Sequence, residues 1–139
     1  MVILGMENKS KVLNIFLWVL QVLLAGMMLM AAYMKLTMSV SRLAAIYPWT
    51  GQVPAGFVKL IGVVDALGGL GLILPGLLRV KRVLTVWAAG GILLLMLCAI
   101  VFHVSRGEVS VIGFNVGVIA VAGVIVWGRW RQAPIGTPA

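Results

Sequence analysis

The sequence has few of the residues that build redox and metal centres. It contains one cysteine, Cys98, and one histidine, His103, among 139 residues. A single thiol cannot form an intramolecular disulfide, a CxxC redox pair or a thiolate metal cluster. A single imidazole likewise excludes bis-histidine haem and histidine-clustered metal sites. We therefore expect no metal site and no intrinsic cofactor.

Charged residues are also scarce, at 10% of the chain, against about 25% in a typical soluble domain. Hydrophobic residues make up 63%, and the mean hydropathy is +1.16. A soluble fold of this length cannot bury so much apolar surface, which predicts an integral membrane protein. A net charge of +8 also fits nucleic-acid binding. The basic residues stand at the ends of apolar runs, however, so the expected partner is the lipid bilayer and not nucleic acid.

Four apolar runs stand out, at residues 12–34, 57–78, 83–102 and 111–127. Each is close to the roughly 20 residues needed to cross about 30 Å of hydrocarbon. Lipid offers the backbone no hydrogen-bond partners, so each run should be α-helical despite its glycines and β-branched residues. The sequence predicts an all-α fold, an integral membrane four-helix bundle over residues 12–129. Short segments at 1–11 and 130–139 lie outside it.

Basic residues predict the orientation of the bundle, because they are enriched on the cytoplasmic side. Most of the 11 lie at one end of the runs: Lys9, Lys11, Arg79, Lys81, Arg82, Arg129 and Arg131. The other end has Lys35, Arg42, Lys59 and Arg106. Both terminal segments are therefore predicted to be cytoplasmic.

The connection between the first two runs, residues 36–56, is the longest outer loop. Within it, Leu36, Val40, Leu43 and Tyr47 recur at a helical spacing. This pattern predicts a short helix in the membrane interface, followed by a break at the prolines. We expect the segment to cover the outer face of the bundle.

Polar residues within the spans are costly in lipid and normally face the bundle interior or a wet cavity. In the first run, Asn14, Gln21 and Lys35 are separated by multiples of seven residues. Seven residues make nearly two helical turns, so the three form one stripe with about 20° of drift per heptad. We expect this interior polar stripe to bring Lys35 to the outer end.

The second run contains one carboxylate, Asp65, about ten residues or roughly 15 Å from the outer end. Gly62 and Gly69 lie near it at helical spacings, and Gly113 and Gly117 form a similar pair in the fourth run. Small residues at such spacings let another helix approach closely. These four glycines are predicted to be helix-packing positions.

The topology brings further polar side chains to the outer half of the bundle. The predicted cluster consists of Lys35, Asp65, His103, Arg106 and Asn115. An amine, a carboxylate, an imidazole and an amide in a low-dielectric pocket make a candidate ligand site. Two interpretations stay open. Lys35 and Asp65 form a buried ion pair that fixes helix register, or the pair also contacts a ligand.

The order of these features resembles the DoxX-like family of small four-span membrane proteins. The resemblance rests on AGMMLMAAYMKL, KLIGVVDALGGLGLILP, LTVWAAGGILLLMLCAIVFHVSRGE and FNVGVIAVAGVIVWGR, and covers about residues 13–129. Its most specific elements are Lys35, the acid before LGGLGLILP, and the H-x-x-R-G-E pattern beginning at His103. The family usually has glutamate where this chain has Asp65.

The resemblance implies a function more loosely than a fold. Some relatives are linked to quinone-coupled sulfur oxidation or to membrane complexes that handle redox stress, and another is an assembly chaperone. The first hypothesis is thus an accessory subunit of a quinone-linked redox system in the bacterial cytoplasmic membrane. It would bind a quinone or another lipid-soluble small molecule and receive electrons from a membrane or soluble redox partner.

Two other functions stay open. The chain can be a membrane scaffold or assembly chaperone that binds other membrane proteins through its glycine-rich faces, or it can associate with copies of itself. A small proton-coupled transporter is the third hypothesis, suggested by four spans and one membrane-embedded acid. No reaction is assigned from the sequence.

Overall fold

The computed structural model describes residues 2–81 and 83–132, and all regular structure in that part of the chain is helical. The long helices are α1 (Val2–Thr37), α3 (Ala55–Leu78), α4 (Val83–Ser105) and α5 (Ile112–Trp127). A short helix α2 (Val40–Ile46) and a 3₁₀ turn (Pro48–Gly51) connect α1 to α3. A second 3₁₀ turn (Val109–Val111) precedes α5, and a π-helical turn (Gly128–Gln132) extends it.

The four long helices have the length and apolar composition required to cross a membrane. The fourth candidate span, Val109–Arg131, includes the turns at both ends of α5. Together with the family comparison below, this makes the chain a multi-pass integral membrane protein. The prediction of an all-α fold with four membrane-spanning helices is confirmed.

The helices run up and down in sequence, with α1 and α4 each packed against both α3 and α5. Contacts between Leu29 of α1 and Gly69 of α3, and between Leu17 of α1 and Gly128 after α5, fix the antiparallel register. The termini end of the bundle holds the start of α1, the α3–α4 turn and the end of α5. The loop end holds residues 38–54 and the turn after α4.

The helices α1, α3 and α4 extend beyond the predicted spans, whereas α5 lies within its own. Residues 1–11 are predicted to precede the first span, and this stays a prediction; the helix α1 itself begins at Val2 and is 36 residues long. No proline interrupts residues 2–37, so the hydrogen-bonded helix continues past the apolar run. At 1.5 Å per residue it is about 54 Å long, more than the roughly 30 Å of hydrocarbon. Of the predicted tail, 133–139 lie outside the described residues.

The core of the bundle is a cluster of buried apolar side chains from all four long helices. Its members are Leu24, Ala25, Met28, Leu72, Ala89, Ile92, Val118, Ala122 and Ile125. Leu72 and Ile125 are fully inaccessible to solvent. Because lipid tails are as apolar as these side chains, close packing rather than removal from water holds the helices together.

Glycines make that close packing possible along α3. A Cβ built at Gly71 would lie 2.7 Å from the Cβ of Ala88 in α4. One built at Gly69 would lie 2.8 Å from the Leu29 side chain and 3.2 Å from the carbonyl oxygen of Ala25 in α1. The α3 backbone thus approaches helices on two sides.

Replacing Gly71 by alanine should destabilise the bundle by about 1–3 kcal/mol, the usual cost of overpacking. The Ala88 methyl is attached directly to the α4 backbone, so only a helix shift can relieve the contact. Thermal unfolding in one detergent measures the effect. Gly91→Ala is the matched control, since Gly91 is exposed and a Cβ there meets nothing within 4 Å. Equal midpoints for the two variants would contradict the close approach of α3 and α4.

Candidate functional site

A buried ion pair joins α1 to α3 near the loop end of the bundle. The Nζ atom of Lys35 donates a hydrogen bond of 2.6 Å to Oδ2 of Asp65. The two side chains are only 11% and 3% exposed, respectively. A Cβ at Gly62, one turn before Asp65, would lie 3.0 Å from the Cβ of Lys35. The missing side chain at Gly62 therefore lets the lysine stem lie against α3.

The ion pair retains hydrogen-bonding capacity that the described residues do not use. A lysine ammonium has three N–H donors, and a carboxylate can accept at both oxygens. Among the described residues, Lys35 donates only to Asp65, and only Oδ2 of Asp65 accepts. A molecule that carries an acceptor and a donor side by side can therefore bind to both members without breaking the pair.

The segment between α1 and α3 lies close to this pair. The ring of Tyr47 has its centre 6.0 Å from Nζ of Lys35. Leu43 of α2 and Thr50 of the 3₁₀ turn are buried. Trp49 packs edge-on against Phe102 of α4, with ring centroids 5.9 Å apart. We call residues 38–54 the cap. The predicted short helix forms as α2, and its position in the membrane interface stays a prediction.

His103 and Arg106 belong to a second polar cluster, in the turn after α4. Nδ1 of His103 lies 2.7 Å from one carboxylate oxygen of Glu108, and Nε of Arg106 donates to the other at 3.1 Å. In the described residues, no hydrogen bond connects this cluster to Lys35 or Asp65. The polar residues of the pattern H-x-x-R-G-E therefore hydrogen-bond to one another within a single turn. Gly107 has a positive φ of 74° in this turn.

Asn115, the last member of the predicted cluster, is buried in α5 at 6% exposure. Its Nδ2 atom has no hydrogen-bond partner among the described residues. A buried amide donor left without an acceptor is costly, and such groups often mark the place of a water molecule or ligand. The hydroxyl of Thr85 in α4 is likewise buried without a partner in the described part of the chain.

A third polar network, at the termini end, was not predicted. Arg129 is 3% exposed and donates to Oε1 of Gln21 at 2.5 Å and to Oδ1 of Asn14 at 2.6 Å. The amide of Gln21 in turn donates to the carbonyl oxygen of Leu72 at 2.6 Å. The guanidinium also lies 5.5 Å from the centre of the Trp18 ring. The network ties α1 to both α3 and the end of α5.

The interior polar stripe of α1 is therefore divided between two clusters. Gln21 is fully buried, whereas Asn14 is exposed and only its oxygens contact Arg129. Sequence reasoning assigned Arg129 a role in topology alone. The sequence did contain one indication of this contact. Asn14 and Gln21 lie toward the same end of the bundle as Arg129, and their amide oxygens require a hydrogen-bond donor there.

Of the four predicted packing glycines, two pack against another helix and two are exposed. Gly62 and Gly69 contact α1, as described above. Gly113 and Gly117 are exposed, and a Cβ at either meets nothing within 4 Å. They line a groove of about 390 Å³ on the seam between α1 and α5, together with side chains that include Leu20, Leu23, Met27 and Phe114.

No group of three or more histidine, cysteine, aspartate or glutamate side chains within residues 2–81 and 83–132 is arranged to hold a metal ion. The sites that the described residues do form are an ion pair, a hydrogen-bonded turn and an arginine network.

Comparison with known proteins identifies one relationship. A model of the DoxX-like family matches residues 19–125, which include Lys35, Asp65, His103, Arg106 and Asn115. Asn14 and Arg129 fall outside the matched range. No curated protein and no solved structure matches the chain.

Replacing one member of the Lys35–Asp65 pair should be far more damaging than replacing both. Lys35→Met or Asp65→Leu alone leaves an uncompensated buried charge and should cost about 3–5 kcal/mol, whereas the double variant should recover most of the loss. The unfolding free energies of the wild type, the two single variants and the double variant, measured in mixed detergent micelles, give the coupling energy between Lys35 and Asp65. Arg42→Met serves as the control at an exposed basic residue of the same end. If the two single losses simply add in the double variant, the pair does not act as a unit.

The turn after α4 should respond to acid in a defined direction. The hydrogen bond from Arg106, and then that from His103, holds the pKa of Glu108 below its usual value of 4.5. Because this pKa is lower in the folded state, these contacts stabilise the turn above pH 4.5, and the stabilisation is lost as the pH falls through the folded-state value.

Arg106→Gln removes the hydrogen bond that contributes most to lowering the pKa of Glu108, so this pKa should rise toward 4.5. Carboxyl ¹³C chemical shifts of Glu108 measured against pH in detergent report it, with the exposed Arg42→Gln as control. An unchanged titration in Arg106→Gln would show that Arg106 does not hold the carboxylate.

Proposed function

The chain belongs to the DoxX-like family of membrane proteins, and on this basis we propose that it binds the oxygen-bearing head group of a lipid-soluble small molecule, such as a quinone. In this proposal it is an accessory subunit of a membrane redox system. The observation that carries the proposal is the unused hydrogen-bonding capacity of the buried Lys35–Asp65 pair.

The chemistry of the pair suits a quinone head group. A carbonyl oxygen of the ligand accepts a hydrogen bond from a remaining N–H of Lys35. When that oxygen gains electron density on reduction, the ammonium stabilises it, and a charge acts strongly where water is excluded. Reduction of the ligand by two electrons would also take up two protons, which Asp65 would relay from water at the loop end, and the hydroxyl of the reduced form would donate a hydrogen bond to the free oxygen of this carboxylate. The electrons come from a redox partner protein, because this chain has no redox thiol pair.

Two further groups support the same proposal. The Nδ2 donor of Asn115 is buried near the start of α5 without a partner among the described residues, and in this proposal it binds a second oxygen of the ligand. Tyr47 of the cap places an aromatic ring near Lys35, and a planar ligand ring can stack on such a surface. The apolar helices around the pair keep water away, which favours hydrogen bonding to a ligand over hydrogen bonding to solvent.

The distribution of basic residues supports a placement in the membrane. We propose that both termini face the cytoplasm of a bacterial cell, because the termini end carries most of the lysine and arginine residues. The Lys35–Asp65 pair then lies in the outer half of the cytoplasmic membrane, where a membrane-dissolved quinone reaches it from the side.

The test is quinone binding by the purified protein. Native mass spectrometry from mild detergent, with decylubiquinone added, should show a bound quinone on the wild type. Asp65→Asn should lose the adduct, and Lys59→Gln, an exposed lysine near the same end, should keep it. The double variant Lys35→Met/Asp65→Leu removes the polar site while leaving no unpaired charge, so it should fold and fail to bind.

A different result would support the scaffold hypothesis. If the wild type binds no quinone, and the double variant retains both its fold and its protein partners, the ion pair is structural. The function would then reside in the helix surfaces.

A further inference from the structure

The two ends of the bundle differ in how their basic side chains are held. At the loop end, Lys35 and Arg106 each bind a carboxylate, and Lys59 donates to a backbone carbonyl oxygen at 3.2 Å. Arg42 is the only basic side chain there without a partner among the described residues. The exposed basic side chains of the termini end that bind no described residue are Lys9, Arg79, Lys81 and Arg131.

The chain has too few acidic side chains to pair with these four cations. It contains three acidic residues, and two of them, Asp65 and Glu108, are bound at the loop end. The third, Glu7, lies at the termini end and already contacts Nζ of Lys11 at 3.3 Å. The four cations are therefore available to an anionic partner from outside the chain.

Exposed tryptophans mark a level of the bundle close to these cations. Trp87, Trp127 and Trp130 are between 52% and 66% exposed. A Cβ built at Gly123 of α5 would lie 3.9 Å from the Leu93 side chain of α4. Six residues from that contact toward the termini end, Trp87 is level with residue 129, between the other two tryptophans. Because tryptophan is enriched where hydrocarbon meets the head groups, the three rings indicate the membrane interface at this end.

The cations lie at the tryptophan level and a short distance beyond it. Arg131 directly follows Trp130. Gly71 of α3 contacts α4 next to Trp87, and Arg79 is eight residues farther along α3, about 12 Å toward the termini end. The polar layer of a bilayer is about 5–8 Å thick on each side of the hydrocarbon. The cations therefore border the layer that contains the lipid phosphates, and lysine and arginine stems are long enough to reach it.

The backbone at Arg79 gives a second reason to assign a role to this side chain. Arg79 ends α3 in the left-handed region, with φ 54° and ψ 36°. Helices usually end in this conformation with glycine, because a Cβ makes it costly. A side chain held in a costly conformation is a basis for inferring a function, and here that side chain is a cation at the membrane interface.

We infer that the termini end of the bundle binds the phosphate groups of anionic phospholipids. We call the binding residues the basic surface: Lys9, Arg79, Lys81 and Arg131. Their ammonium and guanidinium groups donate charge-assisted hydrogen bonds to phosphate oxygens. A zwitterionic lipid carries its own cation, which competes for the same phosphate, so the basic surface favours lipids with a net negative charge. This inference does not depend on the proposed function.

Native mass spectrometry of the full-length chain in mild detergent tests the inference with two lipids of identical acyl chains. The wild type should bind dioleoylphosphatidylglycerol about 10-fold more tightly than dioleoylphosphatidylcholine, since each basic residue near anionic head groups contributes about fivefold. Raising ammonium acetate from about 50 to about 500 mM should reduce this preference, because salt screens exposed charges. Arg79→Gly/Lys81→Gln/Arg131→Gln should lose the preference. Arg42→Gln, which removes an exposed cation at the loop end, should keep it.

The single variant Arg79→Gly separates lipid binding from folding. Glycine suits the left-handed end of α3, so the thermal midpoint in detergent should be unchanged or raised, while the affinity for phosphatidylglycerol should fall about fivefold. If the triple variant is destabilised, Lys81→Gln/Arg131→Gln carries the same expectation and leaves the end of α3 intact.

Three results would overturn the inference. The wild type binds the two lipids equally, or the variants of the basic surface keep the preference at an unchanged thermal midpoint, or Arg42→Gln weakens binding as much as Arg79→Gly does. In the third case net charge, and not the basic surface, determines lipid binding. If the wild type prefers neither lipid but retains an acidic protein that the triple variant loses, the basic surface binds a protein instead.

Discussion

The hydrocarbon of a bilayer supplies no hydrogen-bond partner, and this constraint accounts for the polar contacts that join the spans to one another. Lys35 binds Asp65, Gln21 binds the carbonyl oxygen of Leu72, and Arg129 binds Gln21 and the exposed Asn14. Each of these bonds involves α1. The first helix is thus attached to α3 through Lys35 and Gln21 and to the turn after α5 through Gln21 and Asn14, and its register is set by polar contacts as well as by packing.

Much of the fold follows from the sequence because hydropathy and helix geometry act locally. Four apolar runs became four helices. Hydropathy and spacing predicted the ends of the helices less well. A helix ends where its hydrogen bonding is interrupted, not where its hydrophobicity falls, so α1 includes residues 2–11.

The polar contacts were predictable only where topology and spacing point to the same pair. Asp65 is the one carboxylate of the second predicted run and Lys35 is the lysine at the outer end of the first, and the structure joins them. Glu108 is five residues from His103, so its role depended on the local turn geometry that Gly107 allows. Arg129 stands 108 residues from Gln21, and a basic residue at a helix end has an ordinary explanation in membrane topology.

The same contacts impose an order on biogenesis. α1 is translated before the helices that it binds: the partner of Lys35 follows 30 residues later, and Arg129, one of the two partners of Gln21, follows 108 residues later. At about 5–20 residues per second, the second interval is roughly 5–20 s. During this time the amide of Gln21 has no arginine to bind, and only the translocon or α3 can keep this polar side chain out of contact with lipid. The contacts of Arg129 with Gln21 and Asn14 therefore form only after the turn that follows α5 has been translated, and a nascent chain that stops before α5 keeps its first helix incompletely docked.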